Sequence, residues 1–153
     1  IKGLRAKLRQ AFPARNPGRI VYIGRGRHGE PRTMSNAAAF EDALRKAGVH
    51  VLEPGQGSEA LIDALLDAEL VIAIEGSQAC HGLYALAEGG SFLILQPPER
   101  FYNPLREWAG MLSLRYGFVV GEKDDVSFHV DPSEVLRMVD RLLAVPSSTF
   151  GQR

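Results

Sequence analysis

Two short stretches of this 153-residue sequence carry side chains suited to binding oxygen-rich anions. Residues 25–32 (Arg-Gly-Arg-His-Gly-Glu-Pro-Arg) hold three arginines and one histidine, His28. Residues 75–78 (Glu-Gly-Ser-Gln) combine a carboxylate, a glycine and a hydroxyl, and His81 follows within one helical turn. Arginine pairs with phosphate or carboxylate through two parallel hydrogen bonds, and glycine lets backbone N–H groups approach a ligand. Together they predict a site for a phosphorylated ligand, with a solvated surface loop as the alternative for residues 25–32.

Each stretch directly follows an apolar run that is typical of a β-strand. Residues 19–24 precede the arginine-rich loop, and residues 70–74 precede the Glu-Gly-Ser turn, after which Leu83, Leu86 and Ala87 recur at helical spacing. Ligands of open α/β sheets bind outside the carboxyl ends of the strands. We therefore expect the loop and the turn to face each other across one crevice. Ser77 is predicted to cap the helix or to donate to a ligand, and the first N–H groups of that helix favour an anion.

The rest of the chain alternates strand and helix patterns. Further strands are predicted at residues 49–52, 91–96, 118–120 and 126–130, and helices at residues 2–12 and starting near Ser35, Ser58, Tyr102 and Asp131. Trp108 is expected in the core. The alternation predicts an α/β fold, a three-layer Rossmann-like parallel sheet with helices on both faces. We expect a basic helix and linker at 1–18, one domain at 19–145, and a frayed tail at 146–153.

Charge is distributed unevenly although the formal net charge is zero. Residues 1–32 contain nine Lys or Arg against Glu30 alone, a net +8, and the remainder contains nine against seventeen, a net −8. The first helix is basic and amphipathic, with Leu4, Leu8 and Phe12 as its apolar face. Its simplest interpretation is a helix docked on the domain with its charges in water; contact with nucleic acid or an anionic membrane is the alternative.

Several classes of protein and site receive little support from the sequence. The single cysteine, Cys80, excludes an internal disulfide and fits a reducing compartment, so we expect a cytoplasmic protein. No apolar run reaches the roughly 18 residues that a membrane helix requires. Asp124 and Asp125 are adjacent and are interpreted as a solvated turn rather than a metal site. Because the sequence starts at Ile1 instead of Met, we expect a processed or excised chain whose neighbouring domains are missing.

Taken together, the order and spacing of these motifs resemble the catalytic domain of family 61 glycosyltransferases, including bacterial capsular-polysaccharide enzymes. The family pattern has an Arg after the first strand, a second Arg and an Asn soon after, a His-Gly-Ala or Glu-Gly-Ser turn closing a strand, then Asn or His in the helix. The resemblance spans about residues 19–121 and includes a Gln-Pro-Pro motif at 96–98. The matching positions are Arg25, Arg32, Asn36, Glu75, Gly76, Ser77, His81 and Gln96.

The resemblance implies a GT-B architecture, in which two Rossmann-like domains face a cleft and the C-terminal one holds most of the nucleotide-sugar donor. It also implies an inverting transfer with no essential metal and no cofactor besides the nucleotide-diphosphate sugar, which is a substrate. Only one such domain fits in 153 residues. This chain is then the donor-binding half, and an N-terminal acceptor half is missing.

Without a metal, arginines and backbone N–H groups must neutralise the donor diphosphate. We expect Arg25 and Arg32 to clamp it together with the N–H groups of Gly76, Ser77 and Gln78. Glu75 would accept from ribose or sugar hydroxyls, with a salt bridge to Arg32 as the alternative. His81 would orient the substrate or act as an electrophile, with a buried structural histidine as the alternative. His28 and Glu75 are candidates for the base that activates the acceptor hydroxyl. Asn36 and Gln96 complete the expected substrate-binding set.

Two other functions remain open at this point. A non-catalytic Rossmann-like module would use the same crevice to bind a nucleotide or another phosphorylated ligand. Nucleic acid would instead contact the basic first 32 residues with a steep dependence on salt. That second function is disfavoured because no aromatic side chains interleave with the arginines to stack on bases.

Overall fold

The structure, a computed structural model, describes residues 1–13, 15–25, 33–52, 55 and 57–146. Its centre is a parallel sheet with the strand order β2-β1-β3-β4-β5. These strands are β1 Ile20–Ile23, β2 His50–Leu52, β3 Leu70–Ile74, β4 Ser91–Gln96 and β5 Arg115–Val120. The chain runs from β1 to the edge strand β2 and then returns to the other side of β1. Neighbours β1 and β3 therefore form the switch point where parallel sheets open a ligand crevice.

Helices cover both faces of the sheet, since parallel strands must be buried on both sides. The six helices in the described residues are α1 Lys2–Ala11, α2 Ala37–Lys46, α3 Ser58–Leu65, α4 Cys80–Ala85, α5 Pro104–Met111 and α6 Pro132–Ala144. Side chains of α1, α3, α4 and α5 pack on one face, around Val71, Phe92 and Ile94. Those of α2 and α6 pack on the other, around Tyr22, Ile72 and Leu93. This arrangement confirms the predicted three-layer Rossmann-like fold.

The end of the chain departs most from the predicted strand pattern. Strand β5 begins at Arg115 rather than at Phe118, because an edge strand needs few buried side chains to pair. The strand predicted at 126–130 does not join the sheet. It forms β7 Ser127–His129, which pairs antiparallel with β6 Glu122–Asp124 in a separate hairpin. Asp125, in the left-handed region at φ 51°, forms the exposed turn between them, as predicted for a solvated turn.

Two helices bury different faces from those predicted. Trp108 is 38% exposed, because the buried stripe of α5 consists of Leu105 and Ala109 alone. In α1, Leu4 is 44% exposed, whereas Arg5 is only 5% exposed. The expectation that Trp108 lies in the core and that the charges of α1 lie in water is therefore wrong for these positions.

Helices α2, α3, α5 and α6 all start within two residues of their predicted positions, and at α6 a side chain caps a free N–H group. The Asp131 carboxylate accepts from the Ser133 N–H group at 2.8 Å, and Pro132 opens α6. No serine side chain caps the other starts: helix α2 starts after Asn36, and helix α3 starts at Ser58 itself. Ser77, expected to cap the helix or to donate to a ligand, makes no cap hydrogen bond and opens a turn of 3-10 helix. Across the described residues, no helix is both long and apolar enough to cross a membrane.

Candidate functional site

A hydrogen bond joins Arg25, just after β1, to Glu75, just after β3. The Arg25 guanidinium donates from Nη1 to the Glu75 carbonyl oxygen at 3.0 Å. On its other side, the Glu75 N–H group donates to the carbonyl oxygen of Leu95 in β4 at 2.9 Å. The Glu75 side chain is only 3% exposed. The arginine after the first strand is therefore in contact with the turn after the third at the carboxyl edge of the sheet, so the loop start and the turn face each other as the sequence predicted.

Gly76 makes the reversal that follows possible. Its backbone has φ 143° and ψ 179°, a combination that only glycine adopts readily. The chain then turns through the 3-10 segment Ser77–Ala79, closed by the Ala79 N–H group donating to the Gly76 carbonyl at 3.1 Å, and enters α4. Ser77 is exposed and Gln78 is half-buried. The predicted turn thus presents its backbone at the carboxyl edge of the sheet, beside Arg25.

The imidazole of His81 is oriented by this same turn. Its Nδ1 atom lies 3.0 Å from the carbonyl oxygen of Gln78. A carbonyl oxygen only accepts hydrogen bonds, so its partner assigns the proton to Nδ1. In the neutral ring, Nε2 then carries the lone pair and accepts; in the charged ring, it donates. The half-buried His81 side chain therefore has a defined tautomer at the start of α4.

Asn36 and Gln96, both predicted to bind substrate, have their amide groups engaged with backbone. The Asn36 side chain donates to the Val130 carbonyl at 2.8 Å and accepts from the Val130 N–H group at 3.3 Å. Gln96 is fully buried; it donates to the Tyr102 carbonyl at 2.8 Å and accepts from the Tyr102 N–H group at 3.3 Å. Asn36 therefore connects the start of α2 to the residue after β7, and Gln96 connects the end of β4 to the residues before α5. Contact of either side chain with substrate stays a prediction.

His28 and Arg32, also predicted site residues, lie outside the described residues. The segment that follows them is anchored on β7. Phe128 donates from its N–H group to the Thr33 carbonyl at 3.1 Å and accepts from the Ser35 N–H group at 2.9 Å. The described residues on either side of 26–32 thus contact the Glu75 turn and β7, respectively.

Comparison with known protein families assigns this arrangement to one family. The family model described as Glycosyltransferase 61 matches residues 1–92, which is more than half of the chain and includes Arg25, the Gly76 turn and His81. The chain belongs to glycosyltransferase family 61. It is therefore a glycosyltransferase domain, and its reaction takes a nucleotide sugar and an acceptor as substrates. Comparison with curated proteins gave no match.

Buried contacts of Arg5 at the far end of α4 are a feature of this glycosyltransferase domain that was not predicted from the sequence. Arg5 donates to the carbonyl oxygens of Leu83 and Leu86 at 2.6 and 2.7 Å. Burial, and secondly the nearby Arg9, lowers the pKa of the Arg5 guanidinium below its ordinary value. The sequence contains one signal for this role: Arg5 shares a helical stripe with Leu8 and Phe12, at i+3 and i+7.

A second arginine of α1 supports the same region. Arg9 donates to the Leu86 carbonyl at 3.1 Å and to the Asp67 carboxylate at 2.8 Å, and Arg15 pairs with the other oxygen of Asp67 at 2.9 Å. With Arg25, which binds the Glu75 carbonyl, at least four of the nine cations in residues 1–32 thus bind later parts of the chain. They are engaged in the fold rather than displayed for a nucleic acid, which weakens that alternative.

A cavity of about 420 Å³ lies beside these contacts, at the amino ends of β4 and β5. It is therefore on the sheet edge opposite to the contact between Arg25 and Glu75. The residues that line it are Lys2, Arg5, Ala6, Arg9, Glu88, Gly89, Leu112 and Ser113. Within the part of the chain that the structure describes, no three His, Cys, Asp or Glu side chains lie together as a potential metal site.

Proposed function

We propose that this domain binds the nucleotide-diphosphate sugar at the carboxyl ends of β1 and β3 and performs an inverting, metal-independent transfer. The observation that supports this proposal is the 3.0 Å hydrogen bond from Arg25 to the Glu75 carbonyl. It holds a guanidinium next to a glycine turn whose backbone adopts a conformation rarely open to other residues. A cation beside a close backbone approach is the usual arrangement for a diphosphate.

The chemistry requires charge compensation at the leaving group. The acceptor oxygen forms a bond to the anomeric carbon while the bond from that carbon to the diphosphate breaks, and a base takes the acceptor proton. Negative charge therefore grows on the diphosphate during transfer. Arg25 and Arg32, together with the N–H groups of Gly76, Ser77 and Gln78, would stabilise it without a metal and with no cofactor besides the donor.

The remaining site residues would act on the sugar and the acceptor. Glu75 would accept from ribose or sugar hydroxyls. His81, with its proton on Nδ1, would use Nε2 to orient the substrate when neutral or to donate to the developing charge when protonated. The base would be His28, Glu75 or a residue of another domain.

We extend the proposal to the whole enzyme on the basis of its family. Residues 19–145 would be the C-terminal, donor-binding domain of a GT-B enzyme, and an N-terminal domain would supply the acceptor site. The enzyme would act in cell-surface polysaccharide biosynthesis, of the capsular type. A cytoplasmic location would agree with the free thiol of Cys80.

Calorimetric titration with UDP, GDP and CMP in the presence of EDTA tests the site. We expect one nucleotide to bind saturably, and Arg25→Ala to weaken that binding by about 1.5–3 kcal/mol, because a charge-assisted contact is lost. Arg45→Ala is the matched control. Arg45 is an exposed arginine of α2 that pairs with Glu41 and Asp42, so its removal should leave the affinity unchanged.

Two results would contradict the proposal. Equal losses of nucleotide affinity in the Arg25→Ala and Arg45→Ala proteins would mean that binding depends on the overall positive charge and not on a specific contact with Arg25. Binding that disappears with EDTA and returns with a divalent cation would contradict metal independence.

A further inference from the structure

Helix α4 links the site turn at its start to α1 at its end. A helix leaves its last carbonyl groups without partners of its own, and here groups from outside the helix supply them. Arg5 binds the Leu83 and Leu86 carbonyls, and the Asp67 N–H group donates to the Ala85 carbonyl at 2.8 Å. The positive Arg5 also lies at the negative end of the helix dipole.

External support matters for α4 because the helix is short. It has six residues, and helices of this length are not stable from their own hydrogen bonds. Gly82 sits directly on the sheet: a Cβ atom there would lie 2.9 Å from Phe92 and 3.0 Å from Val71. The helix is thus fixed by close packing in its middle and by a buried arginine at its end.

We propose that Arg5 is a positioning residue for the site, acting through α4 on His81 and the Gly76 turn. His81 occupies the first turn of α4, and its Nδ1 atom binds the Gln78 carbonyl just before the helix. If α4 shifts or frays from its end, the helix no longer holds His81 against Gln78. The role of this effect in the reaction rests on the proposed function, but the positioning itself does not.

The charge of Arg5 and its shape both contribute to this role. Its guanidinium spans two carbonyl oxygens separated by three residues, which a single ammonium cannot bind in the same way. Arg9 reaches only one of the two, the Leu86 carbonyl at 3.1 Å, and also serves Asp67. Among the cations of α1, Arg5 is therefore the one whose replacement should change the position of His81 and the Gly76 turn.

The test is the tautomer of His81, measured by long-range ¹H–¹⁵N NMR on the folded chain at about pH 8.5, where ordinary histidines are neutral. The His81→Gln spectrum assigns the signal among the four histidines. We expect the Nδ1–H form in the wild type and in Lys7→Met, which removes an exposed cation of the same helix. Arg5→Met should lose this single form and give a mixture of tautomers, with shifted Ser77 and Gln78 amides.

Arg5→Lys separates positioning from general stability. It retains the charge but binds one carbonyl at a time, so we expect a spectrum between those of the wild type and Arg5→Met. A folded Arg5→Met protein with unchanged His81, Ser77 and Gln78 signals would overturn the proposal. If Arg5→Met does not fold, an unchanged spectrum for folded Arg5→Lys would overturn it equally. No nucleotide is present, so this test can fail while nucleotide binding at Arg25 stands.

Discussion

The two ends of α4 are built in opposite ways. At its start, the backbone passes through Gly76 and the exposed Ser77, and polar groups lie at the carboxyl edge of the sheet. At its end, the Leu83, Ala85 and Leu86 carbonyls are bound by Arg5 and by the Asp67 N–H group. One end is thus exposed where we propose that the ligand binds, whereas the carbonyl groups of the other end are bound within the protein.

The proposed site would therefore depend on a very short helix. Six residues provide too few internal hydrogen bonds to hold a ligand-facing turn in one place. Helix α4 is instead held in place by Arg5 at its end and by the packing of Gly82 against the sheet. One of these two residues, Arg5, is distant from the site in sequence and lies at the opposite edge of the sheet.

Gly76→Ala should have the largest effect, because it changes the open end of α4. A Cβ atom is strained at φ 143° and ψ 179°, which costs about 1–3 kcal/mol. We expect urea unfolding to show this loss, and calorimetry to show nucleotide affinity at least about tenfold weaker, since the turn N–H groups move. If Gly76→Ala binds the nucleotide with wild-type affinity, the turn does not contact the ligand. The proposed difference between the two ends of α4 would then be wrong.

Gly82→Ala should affect stability more than binding, because it changes the middle of the helix. The new methyl group would meet Phe92 and Val71, and such overpacking costs about 1–3 kcal/mol, reduced by the better helix propensity of alanine. Gly110→Ala is the matched control, since nothing lies within 4 Å of its Cβ position in α5. We expect that variant to be neutral or slightly more stable in the same urea titration. Equal stability of the two variants would show that α4 does not press on the sheet.

The smallest expected effect is a pH dependence of the unfolding free energy that comes from Tyr116, in the core beneath α4. Tyr116 packs edge-on against Phe92 at 6.3 Å, and burial raises the pKa of its hydroxyl to about 12. A raised pKa gives stability that is complete below the ordinary value of about 10 and is lost as the pH rises toward 12. From about pH 8 to 11, the wild type should lose more unfolding free energy than Tyr116→Phe.

The expected difference is less than about 1 kcal/mol, because water screens a half-buried group. Comparing the two proteins at both pH values subtracts the packing change that the substitution itself causes. An identical loss in wild type and Tyr116→Phe would mean that this hydroxyl is as well hydrated in the folded state as in the unfolded state.

The sequence predicted the parts of this fold that depend on local pattern. Strands β1 to β4 were found within one residue of their predicted limits, because their apolar runs are bounded by glycine, proline and polar residues. The opposition of Arg25 to the Glu75 turn followed from the rule that parallel strands end at one edge. The family 61 resemblance was confirmed by the family match, whereas its capsular and C-terminal details remain proposals.

The remainder depends on contacts between distant residues, which have no local pattern. Strand β6 consists of three charged residues, so only its pairing with β7 makes it a strand. Arg5 looked like a solvated charge, and its partners are 78 and 81 residues away. Trp108 is exposed because α5 requires only Leu105 and Ala109 to cover the sheet.

The most direct test of the account is to map the nucleotide onto the two edges of the sheet by NMR. The nucleotide that binds tightest in calorimetry is titrated into the ¹⁵N-labelled chain, and backbone amide shifts are followed. We predict that the largest changes fall on Gly24, Arg25, Gly76, Ser77 and Gln78 at the carboxyl edge. Largest changes around the cavity at the amino edge, at Ala6, Gly89, Leu112 and Ser113, would contradict the account.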